Sequence, residues 1–179
     1  NAFHGRTGYT LSLTNTTPEK TALFPKFRWT TVEPDWKDIE DRVHEEVAAI
    51  IVEPIQGEGG DNHFPLEFFT NLRRIADERD CLLIFDEVQT GMGLTGKMWA
   101  YEHFEIVPDI MCFGKKTQVC GFCSTERIDE IEDNVFTTSG RINSTWGGNI
   151  VDMVRFRYIV DAIQNDKLVD NADRIGSHL

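Results

Sequence analysis

Two chemically active side chains follow directly on two short apolar runs of this sequence. Asp86 ends the run that begins at Leu82, and Lys115 follows the run from Ile110 to Phe113 after a single glycine. Apolar runs of four or five residues flanked by polar residues are typical of strands buried on both faces of a parallel sheet. Such sheets bind ligands at the carboxyl ends of their strands. The sequence therefore predicts an acid and a lysine at a ligand site.

This pair of residue types suits one cofactor in particular. Pyridoxal phosphate is held on a lysine amine as a Schiff base, and an acid beside its ring nitrogen keeps the ring protonated as an electron sink. Asp86 and Lys115 would supply both groups. The alternative is that Asp86 caps a loop and Lys115 is a surface charge, but the combined pattern and its spacing favour the cofactor.

Length and composition exclude several classes of protein. The chain has 179 residues, 40% of them hydrophobic and 27% charged, which is ordinary for one globular domain. A net charge of −12 argues against a nucleic-acid partner, because nucleic-acid binding needs a basic face. No apolar run is long enough to span a membrane and no signal peptide is evident, so we expect a cytoplasmic protein without a membrane partner.

The four cysteines do not predict a metal site. Cys81 and Cys112 adjoin or lie within apolar runs and are expected to be buried thiols. Cys120 and Cys123 form a lone C-x-x-C, without the second pair or the histidines that a zinc site needs. Whether Cys120 and Cys123 respond to oxidation stays open.

Hydrophobic periodicity predicts the elements around the two polar sites. A helix from Pro65 to Arg79 has an apolar stripe that includes Leu66 and Phe69, and it links a strand at 47–53 to the strand at Leu82 in a βαβ unit. Further helices are predicted over 36–46, 99–104 and 149–164, and an antiparallel or edge strand over 119–125.

The segment FDEVQTG, followed by PDIMCFGKK, resembles the signature of the class III aminotransferases. The resemblance implies the α/β large domain of a fold-type I enzyme dependent on pyridoxal phosphate, with a mainly parallel sheet flanked by helices. It also implies that Asp86 pairs with the pyridine nitrogen, Gln89 approaches the ring hydroxyl and Lys115 is the catalytic lysine that carries the cofactor. Lys116 is the rival. Lys115 is preferred because it directly follows the glycine and, nearer the strand end, should be better desolvated.

Three further segments resemble the same family. In FHGRT, the resemblance implies that Phe3 stacks on the cofactor ring and that Arg6 binds a substrate carboxylate. His4 is expected to be structural. In EPIQGEGG, it makes Glu58 a gate that covers or releases a carboxylate-binding arginine. In NSTWGGN, it has Thr145 donate to the cofactor phosphate of a partner subunit, which implies a homodimer with a shared active site.

Within the family, NAFHGRTGYT, EPIQGEGGDNHF, CFGKKTQVCGF and NSTWGGN are most similar to members that move the terminal amino group of L-lysine to 2-oxoglutarate. Those members produce 2-aminoadipate 6-semialdehyde and L-glutamate. Donors of the ornithine or 4-aminobutyrate type, a decarboxylase or racemase with the same cofactor, and a truncated non-catalytic relative remain as alternatives.

The resemblance also predicts the domain organisation. Residues 1–164 are expected to form part of the cofactor-binding large domain, and residues 165–179 the start of a connection to an absent C-terminal small domain. The chain is expected to be a fragment and to be inactive alone, because it lacks the family's upstream phosphate-binding turn and downstream carboxylate-binding arginine.

Overall fold

A computed structural model describes residues 1–16 and 18–179 of the chain. The strands are β1 (Ala49–Val52), β2 (Ile55–Gln56), β3 (Asn62–His63), β4 (Leu82–Asp86), β5 (Ile110–Phe113) and β6 (Gly121–Ser124). The α-helices are α1 (Pro18–Thr21), α2 (Trp36–Arg42), α3 (Leu66–Glu78), α4 (Ile150–Asn165) and α5 (Leu168–Gly176). Short 3-10 turns lie at Thr10–Leu13, Ala100–His103, Lys115–Thr117 and Glu126–Glu130.

The main sheet has the order β1-β4-β5-β6, and β2 and β3 form a separate antiparallel pair. Strands β1, β4 and β5 run parallel, and β6 is an antiparallel edge strand, so the predicted mainly parallel α/β fold is confirmed. The register places Asp86 opposite Cys112. Because β5 ends at the next residue, the chain turns toward Lys115 at the same edge of the sheet where Asp86 ends β4.

Helix α3 joins β1 to β4, as the predicted βαβ unit requires, and forms the core with them. Phe69 is fully buried, stacks on Phe104 with ring centroids 3.9 Å apart and meets Phe85 edge-on at 5.5 Å. Burying such a ring stabilises the fold by about 2–3 kcal/mol. The predicted stripe was wrong at Leu66, which is 50% exposed, while Phe68 is buried. Leu66 is the first helical residue and points away from the sheet.

Three other expectations need correction. The face of strand β4 that carries Leu83 and Phe85 is buried, whereas Leu82 and Ile84 on the opposite face are half-buried. The expectation that this strand is buried on both faces was therefore wrong. The helix predicted over 36–46 ends at Arg42, because Val43 leaves the helical conformation and buries its side chain in the core. The helix predicted over 99–104 is a 3-10 turn. In the described parts of the chain, no helix is long and apolar enough to cross a membrane.

Candidate active site

The polar residues that follow β4 and β5 meet at the carboxyl edge of the sheet. Lys115 opens a 3-10 turn in the left-handed conformation (φ 47°), and its Nζ donates a hydrogen bond to Oε1 of Gln89. Gln89 lies in the turn that begins at Asp86, where the amide of Gly91 donates to the carbonyl of Glu87 at 2.9 Å. The structure thus joins Lys115 directly to Gln89 and places Asp86 at the start of the turn that carries Gln89.

Both oxygens of the Asp86 carboxylate have a fixed donor. The amide of Val88 donates to Oδ1 at 3.1 Å, and Nδ1 of His4 lies 2.8 Å from Oδ2. The side chains of His4 and Asp86 are 3% and 12% exposed, so the contact is shielded from water. His4 is itself anchored, because its amide donates to Oγ1 of Thr14 at 3.0 Å. Sequence reasoning missed this contact, although the position of His4 beside Phe3 in the FHGRT motif was a usable signal.

A second buried acid, Glu53, lies beside this pair. The amide of Phe3 donates to Oε1 of Glu53 at 2.8 Å, which ties the N-terminal segment to the end of β1. Burial raises the pKa of Glu53; the hydrogen bond from Phe3 and the charges of His4 and Lys115 oppose that rise, and the charge of Asp86 adds to it. Glu53 is therefore within electrostatic reach of the predicted acid and of the predicted lysine.

The N-terminal segment also meets the glycine-rich loop at 54–60. The Asn1 side-chain amide donates to the carbonyl of Gly59 at 3.3 Å. The Arg6 guanidinium lies 5.9 Å from the centroid of the Phe3 ring, a cation–π contact, and Arg6 is exposed. Glu58 is an exposed residue of the same loop. The predicted ring-stacking residue, the predicted substrate arginine and the loop of the predicted gate therefore lie together.

The two adjacent lysines have the reverse of the expected burial. Lys115 is exposed and Lys116 is half-buried, so the expectation that Lys115 is the better desolvated amine was wrong. Burial lowers the pKa of Lys116, and the charge of Lys115 lowers it further. The Nζ of Lys116 donates to the main-chain carbonyl of Gln89, a contact with no signal in the sequence. The physical reason is the left-handed turn at Lys115, after which the next side chain points back over the turn at Gln89.

Thr145 is not brought to this edge of the sheet. It lies in the exposed loop 141–148, whose turn is closed by the amide of Gly147 donating to the carbonyl of Ser144 at 3.2 Å. Among the described residues, no hydrogen bond connects Thr145 with Lys115, Gln89 or Asp86. Nor does any cluster of three His, Cys, Asp or Glu side chains suitable for a metal ion occur there.

The arrangement has a defined chemical capacity. A lysine amine can attack a carbonyl carbon, and an amide hydrogen-bonded to it can fix a neighbouring polar group. A shielded carboxylate with two fixed donors can still accept from a protonated ring nitrogen, because each oxygen has a second lone pair. These donors and acceptors fit a flat, protonated heterocycle that carries an aldehyde.

Comparison with known proteins agrees with this capacity. The family model for class III aminotransferases matches residues 1–179. The chain is 50% identical over 200 residues to an L-lysine-epsilon aminotransferase of Mycobacterium tuberculosis, covering 99% of the chain and 44% of that protein. Its identity to the enzyme of the same name from Amycolatopsis lactamdurans is 45% over 201 residues, covering 99% of the chain and 45% of the relative.

A solved structure gives the same result. The structure of a lysine aminotransferase from M. tuberculosis in the internal aldimine form superposes with a TM-score of 0.90 at 50% identity, covering 99% of this chain and 46% of that one. The chain therefore spans less than half the length of the relatives it matches.

Proposed function

We propose a lysine aminotransferase activity for this chain, which belongs to the class III aminotransferases. The reaction would move the terminal amino group of L-lysine to 2-oxoglutarate, giving 2-aminoadipate 6-semialdehyde and L-glutamate. The observation that carries the proposal is the meeting of Lys115, Gln89 and Asp86 at one edge of the sheet. The identity of 50% with lysine aminotransferases supports the choice of amino donor.

The cofactor proposed for this site is pyridoxal phosphate. When bound, it supplies an electron sink for the electron pair that remains when the amine-bearing carbon of the substrate loses its proton. Lys115 would hold the cofactor through its amine, Asp86 would accept a hydrogen bond from the ring nitrogen, Gln89 would contact the ring hydroxyl and Phe3 would support the ring face. The shielded His4–Asp86 contact supports this assignment, because it and the Val88 amide hold both carboxylate oxygens in place and leave each a lone pair for a ring nitrogen.

Two tasks in the reaction fall to Lys115. It would release the cofactor to the amine of the substrate, and its freed amine would then take the proton from the amine-bearing carbon and donate it, as general acid, to the cofactor carbon that is bound to the same nitrogen. The exposed position of Lys115 and its contact with Gln89 support this role, because the amine is accessible and is held beside a residue proposed for the cofactor ring.

Substrate selection is proposed for Arg6 and Glu58. Arg6 presents a guanidinium beside Phe3 and can grip a substrate carboxylate with its bidentate fork. Glu58 would act as a gate, because its loop is tied to the N-terminal segment that carries Arg6. A gate of this kind lets one site accept first the terminal amine of lysine and then a dicarboxylate.

We further propose that the protein acts as a homodimer in the cytoplasm, with Thr145 contributing to the cofactor phosphate of the partner subunit. In support, Thr145 lies in an exposed loop, and its neighbours Trp146 and Ile150 are 79% and 80% exposed. Residues 1–164 would belong to the large domain. Residues 165–179 would begin the link to a small domain, although α5 packs on the loop at Gly93 and Gly96.

Borohydride trapping tests the proposal. The chain, and a version carrying its natural flanking sequence, are incubated with pyridoxal phosphate, reduced and mapped by peptide mass spectrometry. A pyridoxyl group on Lys115, absent in Lys115→Ala, is expected. The longer version should consume 2-oxoglutarate with L-lysine faster than with ornithine or 4-aminobutyrate. No adduct with excess cofactor would overturn the enzyme proposal, and a preference for ornithine would overturn the donor.

A further inference from the structure

Two adjacent lysine side chains donate hydrogen bonds to the same glutamine, Gln89. The Nζ of Lys115 donates to the side-chain oxygen of Gln89, and the Nζ of Lys116 donates to its main-chain oxygen. Both lysines belong to the single 3-10 turn Lys115–Thr117. The turn after β5 is thus joined to the turn after β4 through one residue, at its main chain and at its amide.

The side-chain amide of Gln89 also packs against Gly57. A β-carbon at Gly57 would lie 2.9 Å from Nε2 of Gln89, closer than carbon and nitrogen atoms normally approach, so the glutamine amide packs directly on the Gly57 backbone. The side-chain amide therefore lies between the glycine-rich loop and the amine of Lys115. Gln89 itself is exposed, but its neighbours Val88 and Thr90 are tied to Asp86 and Glu87, and Lys116 adds the hydrogen bond to the carbonyl of Gln89.

Lys116 is kept at this position at a cost. Burial lowers the pKa of Lys116, the charge of Lys115 acts in the same direction, and Glu87 is the acid that opposes both. Glu87 already accepts hydrogen bonds from Thr90, Ala100 and Tyr101. A half-buried ammonium group loses part of its hydration, and the main-chain carbonyl of Gln89 supplies a hydrogen-bond acceptor in its place. The contact joins Lys116 to the turn that carries Gln89.

We propose that Lys116 is a positioning residue, which holds the main chain of Gln89 so that the amide of Gln89 reaches the amine of Lys115. This inference rests on the proposed function, since it concerns the two residues assigned to the cofactor ring. It gives Lys116 a defined part in the site without any bond to the cofactor. Loss of the contact would let the Gln89 turn move, and Lys115 would lose its aligned partner.

The test compares Lys116→Met, which keeps an unbranched side chain of nearly the same length and removes its donors, with Lys116→Arg, which keeps a donor and the charge. Lys97→Met is the control, because Lys97 is an exposed lysine outside the site. Amide hydrogen exchange of residues 86–91 is measured without cofactor, and the affinity for pyridoxal phosphate is measured from the absorption of the bound cofactor.

In Lys116→Met we expect exchange at 86–91 to rise and cofactor affinity to fall, each by about tenfold, the size expected for one lost charge-assisted hydrogen bond. Lys116→Arg should restore both and Lys97→Met should change neither. Gly57→Ala should weaken cofactor binding without raising exchange, because it displaces the Gln89 amide and leaves the Lys116 contact intact.

Unchanged exchange and affinity in Lys116→Met would overturn the inference, and so would equal losses in Lys116→Met and Lys116→Arg. A borohydride-trapped adduct on Lys116 would overturn it as well, since Lys116 would then be the attachment point. If no adduct forms in the unaltered protein, the proposed function fails, while the exchange result without cofactor still decides the role of Lys116.

Discussion

The Nδ1 atom of His4 lies 2.8 Å from Oδ2 of Asp86, although 82 positions separate the two residues in sequence. An ionised carboxylate can only accept hydrogen bonds, so the contact favours the His4 tautomer that has its proton on Nδ1. The bond joins the N-terminal segment to the end of β4, where the acid proposed for the cofactor ring lies. His4, expected to be merely structural, is the residue that orients this acid.

Replacing His4 with Phe tests that role. The ring volume is kept, but Asp86 loses one of its two fixed donors and retains the Val88 amide. We expect kcat/KM of the flanked enzyme to fall about tenfold, the effect of one lost hydrogen bond to a charged group. Asp86→Asn should cost more, roughly 10²- to 10³-fold, because it removes the charge itself. His178→Phe, at an exposed position, should have no effect. Equal activities of His4→Phe and the unaltered enzyme would contradict the role.

Glu87 should make the stability depend on pH. Burial raises the pKa of Glu87, and this outweighs the lowering by its hydrogen bonds from Thr90, Ala100 and Tyr101. Since the native state then binds the proton more tightly than the unfolded state, stability is lost as pH rises from the unfolded value of 4.5 through the raised native value. The free energy of unfolding of the unaltered chain minus that of Glu87→Gln, both measured with urea, should therefore decline as pH rises across this window. A difference that grows with pH would indicate a lowered pKa instead.

Asp109 is expected to be a major contributor to stability. Its Oδ2 accepts from the amide of Leu83 at 2.7 Å and from Nη1 of Arg73 at 2.9 Å, with Arg127 at 3.5 Å. Asp109→Asn leaves the largely buried guanidinium of Arg73 with only the more exposed Asp77 as a counter-ion, and we expect a loss of about 2 kcal/mol in the free energy of unfolding. Asp133→Asn is the matched control, because Asp133 and its partner Arg141 are 65% and 46% exposed and such pairs contribute less than about 1 kcal/mol. Similar losses in both variants would contradict the prediction.

The cysteines should react in two classes. Burial raises the pKa of Cys112 to about 11, and Cys81 is buried, whereas Cys120 and Cys123 are exposed. At pH 8 about one Cys112 side chain in a thousand would be a thiolate. Iodoacetamide is therefore expected to label Cys120 and Cys123 first and Cys81 and Cys112 only after denaturation. Mass spectrometry of the peptides at successive times measures the order, and early labelling of Cys112 would show that β5 is less protected than described.

The local pattern was enough for the elements that carry the site. The apolar runs at Leu82 and Ile110 predicted β4 and β5, and the stripe from Phe69 to Ala76 predicted α3, because strand and helix periods leave a direct trace in the sequence. Element ends were less predictable. Val43 ends α2 early to reach the core, and Leu66 starts α3 facing solvent, since the positions of neighbouring elements decide both.

By itself the sequence determined which groups are proposed for the chemistry: Asp86, Gln89 and Lys115, with Phe3 and Arg6, are candidates because they lie in motifs that resemble those of the family, in the same order along the chain. The tertiary structure alone decided what those groups touch. Two contacts, His4 with Asp86 and Lys116 with Gln89, depend on strand register and on one left-handed residue, Lys115. The same causes leave Lys115 more exposed than Lys116. No local pattern encodes such contacts, because they depend on how distant segments pack together.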